Sequence, residues 1–122
     1  ELIVNCAAYT AVDKAEDDSE LAYKLNSEAP KTLACAAQFN GAAMIQVSTD
    51  YVFDGTAHIP YTEEEPTCPA SVYGSTKLAG EQAVMDGGTE SLRKVSRYPY
   101  RMALFHFWQQ LREDDDPSGQ RA

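Results

Sequence analysis

Basic side chains are scarce in this sequence. Its 122 residues hold 10 Lys and Arg against 19 Asp and Glu, which gives a formal net charge of −9. A protein that binds nucleic acid replaces phosphate counterions with a basic face, and these few cations form no patch. We therefore expect no nucleic-acid partner. Much of the acidity lies in two runs, residues 63–65 and 113–116, which are typical of solvated loops and tails.

Long apolar runs are also absent. No stretch approaches the roughly 20 apolar residues that a membrane-spanning helix needs, and the opening residues lack the basic region of a secretory signal. The three cysteines, Cys6, Cys35 and Cys68, include no C-x-x-C pair, and neither histidine has ligand-like spacing. We expect a cytoplasmic protein without a membrane partner or a structural metal, in which Cys6 and Cys35 are small core residues.

Strand and helix signals alternate along the chain. Residues 2–4 are typical of a strand buried on both faces, and residues 43–48 form a second apolar strand. Between them, residues 19–40 keep helical apolar spacing, with a kink or break expected near Asn26 because Pro30 interrupts the pattern. A strand, a helix and a strand in this order predict a right-handed crossover and a parallel sheet.

A loop and a further helix follow the second strand. Residues 49–55 lie at the carboxyl end of that strand, the edge of an open α/β sheet at which ligands bind. Ser71 is a suitable N-cap for a helix that runs to about Met85. After Gly87 and Gly88 basic and aromatic residues mix without a clear period, and the pattern predicts no element there.

Tyr73 and Lys77 lie four residues apart on this predicted helix, so their side chains share one face. A free phenol has a pKa near ~10 and is a poor proton donor at neutral pH, but a nearby ammonium lowers that pKa. A tyrosine tuned in this way can protonate a carbonyl oxygen as hydride reaches the carbon. For an isolated Y-x-x-x-K pair, a surface Tyr–Lys contact is the commoner explanation.

Thr49 places a hydroxyl just past the end of the second strand. It could donate to the same carbonyl oxygen that Tyr73 protonates, and two donors on one developing oxyanion follow the logic of an oxyanion hole. The alternatives are structural. Thr49 would then be a simple strand-end cap, and Asp50 and Asp54 would form Asx-turns.

Four segments taken together resemble one known family. They are N-C-A-A-Y-T-A-V-D-K-A-E (5–16), V-S-T-D-Y-V-F-D-G-T (47–56), P-Y-T-E-E (60–64) and V-Y-G-S-T-K-L-A-G-E (72–81). Their content, order and spacing resemble the dTDP-4-dehydrorhamnose reductases of the short-chain dehydrogenase/reductase superfamily, and the resemblance extends to about residue 86. It implies an α/β fold, a partial Rossmann-like doubly wound parallel sheet.

The resemblance also implies roles for individual residues. Tyr73 is the catalytic acid, Lys77 holds the nicotinamide ribose and tunes Tyr73, and Thr49 is the third catalytic residue. Thr49 and Asp50 face the sugar. The strand-end residues that line the cofactor are Ala7, Ala8 and Tyr9.

The reaction implied by the resemblance is hydride transfer from NADPH or NADH to the 4-keto group of dTDP-4-dehydro-L-rhamnose, which gives dTDP-L-rhamnose. The partner is therefore a nucleotide-sugar substrate. Some members of the family use Mg²⁺ at a dimer contact, so a homodimer of the full-length protein is also implied. No residue in this sequence marks a site for the metal.

Two parts of the family pattern are missing from this sequence. No G-x-x-G-x-x-G occurs, so the N-terminal Gly-rich βα unit that holds the pyrophosphate is lacking. Nothing matches the C-terminal substrate region either. We expect residues 1–86 to be a partial NAD(P)-binding Rossmann-like domain, residues 87–122 to be a non-homologous tail, and the chain alone to be inactive.

The tail has the character of a shifted reading frame. Read one nucleotide later, the codons of residues 97–102 permit V-I-R-T-G-W, and those of residues 108–115 permit G-N-N-F-V-K-T-M. Both strings resemble the next segments of the family, in the right order. Coincidence among degenerate codons is the alternative explanation.

Other functions also fit parts of the pattern. A different nucleotide-sugar reductase or epimerase of the same superfamily would share Tyr73 and Lys77. The non-catalytic regulatory subunit of methionine adenosyltransferase resembles the family too, although the presence of Tyr73, Lys77 and Thr49 favours an enzyme. A truncated or non-functional gene product is the third alternative.

Overall fold

The computed structural model describes residues 1–62 and 64–87, together with the backbone of residues 93–96. The strands within these residues are β1 (Leu2–Asn5), β2 (Ala43–Val47) and β3 (Arg93–Ser96). The α-helices are α1 (Ser19–Tyr23), α2 (Ala29–Phe39) and α3 (Val72–Asp86). A π-helical segment, Lys24–Glu28, joins α1 to α2, and 3-10 turns occupy Lys14–Glu16 and Asp50–Val52.

The strands form one parallel sheet in the order β1-β2-β3. The register between β1 and β2 places Asn5 opposite Gln46, and the register between β2 and β3 places Val47 opposite Ser96. Because the strands are parallel, their carboxyl ends meet at one edge of the sheet. The predicted α/β arrangement, a partial Rossmann-like parallel sheet with helical crossovers, is confirmed.

β1 is less buried than its sequence predicts. Leu2 and Val4 are 49% and 48% exposed, and Ile3 packs against the core from the other face of the strand. The expectation that residues 2–4 are covered on both faces is therefore wrong, because the described helices contact the strand on the side of Ile3. β2 matches its prediction better, since three of its five residues are buried.

The helical stretch between β1 and β2 changes its winding without breaking. α1 passes directly into the π-helical segment Lys24–Glu28, which contains Asn26, and then into α2, where Pro30 lies in the first turn. The predicted kink or break near Asn26 is therefore replaced by a π-helical turn. Pro30 has no N–H to continue the helical ladder of hydrogen bonds, and it lies directly after the π-helical turn. α2 ends at Phe39, and Gly41 takes the left-handed conformation that stops a helix.

Small and medium apolar side chains form the core between the sheet and helices α2 and α3. Its buried members are Ala34, Ala37, Met44 and Val84. Burying a side chain such as Val84 stabilises the fold by about 1.5–3 kcal/mol relative to leaving it exposed. The alanines of α2 let this helix lie close to β2.

α3 packs with its backbone against two neighbouring segments. A Cβ added at Gly80 would lie 2.0 Å from the carbonyl oxygen of Asn26, and one added at Gly74 would lie 2.2 Å from that of Tyr51. Glycine at both positions therefore permits the contact between α3, the π-helical segment and the Asp50–Val52 turn. The predicted cap of this helix is confirmed, because the Ser71 hydroxyl oxygen accepts a hydrogen bond from the Gly74 N–H at 3.0 Å.

β3 is an element that the sequence pattern does not reveal. Its parallel pairing with β2 is a tertiary contact, and local apolar periodicity carries no signal for it. The expectations for residues 97–122, including the shifted frame, lie outside the described residues. The division of the chain at residue 86 stays a prediction.

The cysteines do not contribute to the core. Cys6 and Cys35 are exposed, so the expectation that they are core residues is wrong. Cys35 lies on the outer side of α2, whereas Ala34 and Ala37 of the same helix face inward. In the described part of the chain, no helix is long and apolar enough to span a bilayer.

Candidate active site

The candidate site lies where the carboxyl ends of β1 and β2 meet the first half of α3. Tyr73 and Lys77 occupy consecutive turns of α3 and share one face of it. Thr49 begins the turn that follows β2, and residues 7–9 follow β1. The fold thus brings the three predicted groups of site residues to the same edge of the sheet.

Lys77 is buried, with only 4% of its surface exposed. Its Nζ donates a hydrogen bond to the carbonyl oxygen of Val47 at 2.7 Å, at the end of β2. Burial lowers the pKa of the Lys77 ammonium, and the nearby carboxylate of Glu81 acts in the opposite direction. The helix therefore holds the Lys77 amine at the end of the strand, and Tyr73 lies one turn earlier in the same helix.

Thr49 is half-buried and caps the turn that follows β2. Its hydroxyl oxygen accepts from the Tyr51 N–H at 3.2 Å, and its hydroxyl group donates to Oδ1 of Asp50 at 3.2 Å. The capping role that the sequence offered as an alternative is therefore real. The same turn also approaches α3, because the Tyr51 and Tyr73 rings meet edge to face with centroids 5.5 Å apart.

The segment after β1 is held by side-chain amides. The Ala7 N–H donates to Oδ1 of Asn5 at 3.1 Å. Asn26 grips Tyr9 at both backbone atoms, accepting from its N–H at 2.8 Å and donating to its carbonyl oxygen at 3.2 Å. Asn26 also donates to Thr76 of α3 at 3.1 Å, so one buried amide connects Tyr9 to the helix that carries Tyr73.

Buried polar residues connect the elements that form the site. Sequence reasoning did not single them out. Glu81 is 2% exposed and accepts a hydrogen bond from the Ser48 hydroxyl, which links α3 to the end of β2. A signal for Glu81 was available, since it continues the four-residue spacing of Tyr73 and Lys77. For Asn26 the signal was only a polar residue within an apolar helical pattern.

Asp54 organises the loop beyond this edge. Its Oδ1 accepts from the Thr56 N–H at 3.0 Å, from the Thr56 hydroxyl at 2.9 Å and from the Tyr61 hydroxyl at 2.9 Å. The backbone hydrogen bond from Thr56 is the largest cause of a lowered pKa at Asp54. The Tyr61 ring also stacks on Phe53 at 4.4 Å. The Asx-turn expected at Asp54 is present, whereas Asp50 accepts from Thr49.

The described residues suit proton transfer to a carbonyl group. Tyr73 supplies a phenol, Lys77 an ammonium and Thr49 a second hydroxyl, all at an edge where residues 7–9 offer partly exposed surface. Within residues 1–62 and 64–87, no three His, Cys, Asp or Glu side chains are grouped as a metal site. Tyr73 and Lys77 are groups that can transfer protons, and the Thr49 hydroxyl can donate a hydrogen bond.

Comparison with known proteins shows which family the chain resembles. Residues 1–97 match the family described as RmlD substrate binding domain. The chain is 53% identical over 85 residues to a dTDP-4-dehydrorhamnose reductase of Streptomyces griseus, covering 70% of this chain and 28% of the relative. It is equally 53% identical over 85 residues to a probable dTDP-4,6-dihydroxy-2-methyloxan-3-one 4-ketoreductase of Streptomyces antibioticus, covering 69% and 29%. The chain thus spans less than a third of the length of either curated relative.

A solved structure also superposes on the chain. The crystal structure of a dTDP-4-dehydrorhamnose reductase from Bacillus anthracis in complex with NADP matches with a TM-score of 0.71 and 35% identity. The match covers 93% of this chain and 41% of that one. The sheet and helices of this chain therefore match part of the fold of that larger, NADP-bound protein.

Proposed function

The chain belongs to the RmlD substrate binding domain family, and we propose that it carries the catalytic centre of a dTDP-4-dehydrorhamnose reductase. The reaction is hydride transfer from NADPH or NADH to C4 of dTDP-4-dehydro-L-rhamnose, with proton transfer to O4, to give dTDP-L-rhamnose. One observation supports this proposal more strongly than the others do. Tyr73 and the buried Lys77 share one face of α3, beside the turn that begins at Thr49.

Tyr73 is the proposed proton donor. As negative charge develops on O4 of the sugar, the phenol O–H donates its proton to that oxygen, and the phenolate regains a proton from solvent. The positive charge of Lys77, one helical turn away, favours the phenolate and so eases the transfer. The Thr49 hydroxyl would be a second donor to the same oxygen, and this requires it to turn from Asp50 toward the sugar.

The residues at this edge fit the nicotinamide end of a cofactor. A lysine ammonium has three N–H donors, and the carbonyl of Val47 takes one of them, so donors are left for ribose hydroxyls. Ala7, just past the end of β1, has a small and exposed side chain that would not obstruct a ring there. When bound, the cofactor would supply the hydride. Ala8 and Tyr9 complete the proposed cofactor-lining segment, and Thr49 and Asp50 the proposed sugar contacts.

The test is substitution of the proposed proton donor in the full-length protein. Tyr73→Phe should lower kcat by about 10²–10⁴-fold, because general acid catalysis contributes that much, while cofactor affinity changes little. Tyr23→Phe, at an exposed position on α1, is the matched control. Near-normal kcat in the Tyr73→Phe protein would remove Tyr73 from the mechanism.

A second substitution separates the roles of the lysine. Lys77→Met should weaken cofactor binding and lower kcat together, because the ammonium is proposed to hold the ribose and to tune Tyr73. Lys31→Met on the exposed side of α2 is its control. A variant with reduced kcat but unchanged cofactor affinity would limit Lys77 to the electrostatic role.

A second substrate class has specific support. The 4-ketoreductase of Streptomyces antibioticus is as similar to this chain as the dehydrorhamnose reductase of Streptomyces griseus. The shared segment therefore fits reduction of a 4-keto group on more than one dTDP-sugar. Turnover of a panel of dTDP-4-keto sugars by the full-length protein distinguishes the two candidates through kcat/KM.

The cytoplasm is the proposed compartment, and a homodimer is the proposed assembly. All three cysteines are free thiols, which suits a reducing environment. The dimer and any Mg²⁺ at its contact rest on the family resemblance. Light scattering of the full-length protein, with and without a chelator, tests both.

A further inference from the structure

A chain of hydrogen bonds runs beneath the candidate site from the end of β1 to Lys77. The Ala7 N–H donates to Oδ1 of Asn5 at 3.1 Å, and Nδ2 of Asn5 donates to Oε1 of Gln46 at 2.8 Å. Nε2 of Gln46 then donates to the carbonyl oxygen of Val47 at 3.0 Å. Lys77 donates to that same carbonyl oxygen at 2.7 Å. We call these four bonds the amide relay.

The direction of the amide relay is set at both of its ends. A backbone N–H can only donate and a backbone carbonyl can only accept, so Ala7 and Val47 fix the orientation of the two amides between them. Reversing either Asn5 or Gln46 would bring two acceptors or two donors together. Each side-chain amide therefore has one orientation that satisfies its neighbours.

Gln46 is the central member of this relay and is buried, with 2% of its surface exposed. Its position in the middle of a parallel sheet would ordinarily favour an apolar residue. A buried amide costs free energy unless its donors and acceptors are satisfied, and here Asn5 and Val47 satisfy it. The Gln46 side chain therefore connects Asn5 of β1 to the Val47 carbonyl within the core.

We propose that Gln46 is a positioning residue that fixes the Lys77 ammonium relative to the segment beginning at Ala7. The Val47 carbonyl holds Lys77, and Gln46 holds that carbonyl in a fixed relation to β1. The consequence for activity rests on the proposed function, in which Lys77 and residues 7–9 bind the same nicotinamide cofactor. Losing the relay should then weaken cofactor binding more than binding of the sugar.

The main test compares two identical chemical changes in the full-length protein. Gln46→Met keeps the length of the side chain and removes its hydrogen bonds, and Gln38→Met makes the same change at an exposed position of α2. With Gln46→Met, we expect the dissociation constant for NADPH to rise about tenfold, the KM for the nucleotide sugar to change less than twofold, and both to stay constant with Gln38→Met. A change of less than twofold in NADPH affinity would overturn the proposal.

A second variant, Gln46→Glu, has nearly the same shape as wild type and serves as a test in case Gln46→Met does not fold. In Gln46→Glu the ionised carboxylate has no donor for the Val47 carbonyl, whereas the protonated form has one. At pH 8 we expect Gln46→Glu to bind NADPH about tenfold more weakly than wild type, because its ionised carboxylate is stabilised by the Lys77 ammonium and leaves the Val47 carbonyl without the Gln46 donor. Wild-type affinity for NADPH in Gln46→Glu at pH 8 would contradict the relay.

Resonances of the protein without ligands test the geometry independently of any activity. Gln46→Met should shift the Ala7 amide and the Lys77 side-chain signals, whereas Gln38→Met should leave both in place. Unmoved signals would overturn the relay even in an active enzyme. If wild type fails to bind NADPH, the proposed function fails, and these shifts alone decide for or against the positioning role.

Discussion

The carboxylate of Asp54 shows how one side chain orders a loop. Its three hydrogen bonds from Thr56 and Tyr61 stabilise the charged form, so the pKa of Asp54 is lower in the folded protein than in the unfolded chain. The stabilisation is complete above the ordinary pKa of an aspartate. It is lost as the pH falls through the lower, folded value.

We expect Tyr61 to report this titration. In wild type, the Tyr61 ring signals should stay native at neutral pH and change only in acid, below the usual range for aspartate. Asp54→Asn should loosen the loop already at neutral pH, because a neutral amide accepts these bonds more weakly. Ring resonances of Tyr61 followed against pH check this, with Asp86→Asn at the exposed end of α3 as control. A native Tyr61 signal in Asp54→Asn at neutral pH would contradict it.

Sequence reasoning identified the candidate site residues but not the residues that hold them. Tyr73, Lys77 and Thr49 could be proposed because four segments together resemble a known family, and helical spacing or a strand end places them. Asn26 and Gln46 could not, because their partners lie 50 and 41 residues away in the chain. A local pattern contains no information on which distant backbone group a buried amide will meet.

Close contact between helix and backbone explains the glycines of α3. Glycine in the middle of a helix ordinarily costs about 0.5–1 kcal/mol relative to alanine. At Gly80 the sign should reverse, because an added Cβ would lie 2.0 Å from the Asn26 carbonyl oxygen. We expect Gly80→Ala to destabilise the protein by about 1–3 kcal/mol, the usual cost of overpacking. Urea unfolding measures it, with Ser75→Ala on the exposed side of α3 as control.

Gly74 faces a different neighbour and should have a different effect. An added Cβ there would lie 2.2 Å from the Tyr51 carbonyl oxygen, in the turn that begins at Thr49. Gly74→Ala should therefore push that turn away from Tyr73 and lower kcat at least tenfold, since displacements near 1 Å can cost about 10²-fold. Steady-state kinetics of the full-length protein, beside Ser75→Ala, test this. An unchanged kcat would show that the turn and the helix move together.

The elements differ in how far the sequence predicts them. β2 and α3 could be predicted because a buried strand and a capped helix leave strong local patterns. The π-helical segment could not be distinguished from a break, because both disturb the apolar period near Asn26. β3 could not be predicted because it is stabilised by pairing with β2, and its own four residues carry no local pattern that indicates this tertiary contact.

The isolated chain should bind its proposed cofactor poorly. The sequence contains no G-x-x-G-x-x-G turn, so these 122 residues lack the usual backbone cradle for a pyrophosphate. Calorimetry on a monomeric preparation, with a full-length relative as positive control, measures this. A micromolar affinity for NADPH would show that another part of the chain binds the phosphates.

The proposed frame change concerns the last part of the sequence, which lies outside the described residues. We expect the encoding DNA, read one nucleotide later, to spell a segment V-I-R-T-G-W from the codons of residues 97–102. Sequencing of that DNA decides the matter. A stop codon in that frame, or a different spelling, would require another origin for residues 87–122.

The buried amide contacts also determine when parts of the fold can form during translation. Asn26 bonds to Thr76, 50 residues later in the chain. At a translation rate of about 5–20 residues per second, the second partner follows the first by roughly 2.5–10 seconds. During that time the Asn26 amide is hydrated and the segment after β1 has no anchor on α3. The candidate site therefore cannot be assembled until α3 has left the ribosome.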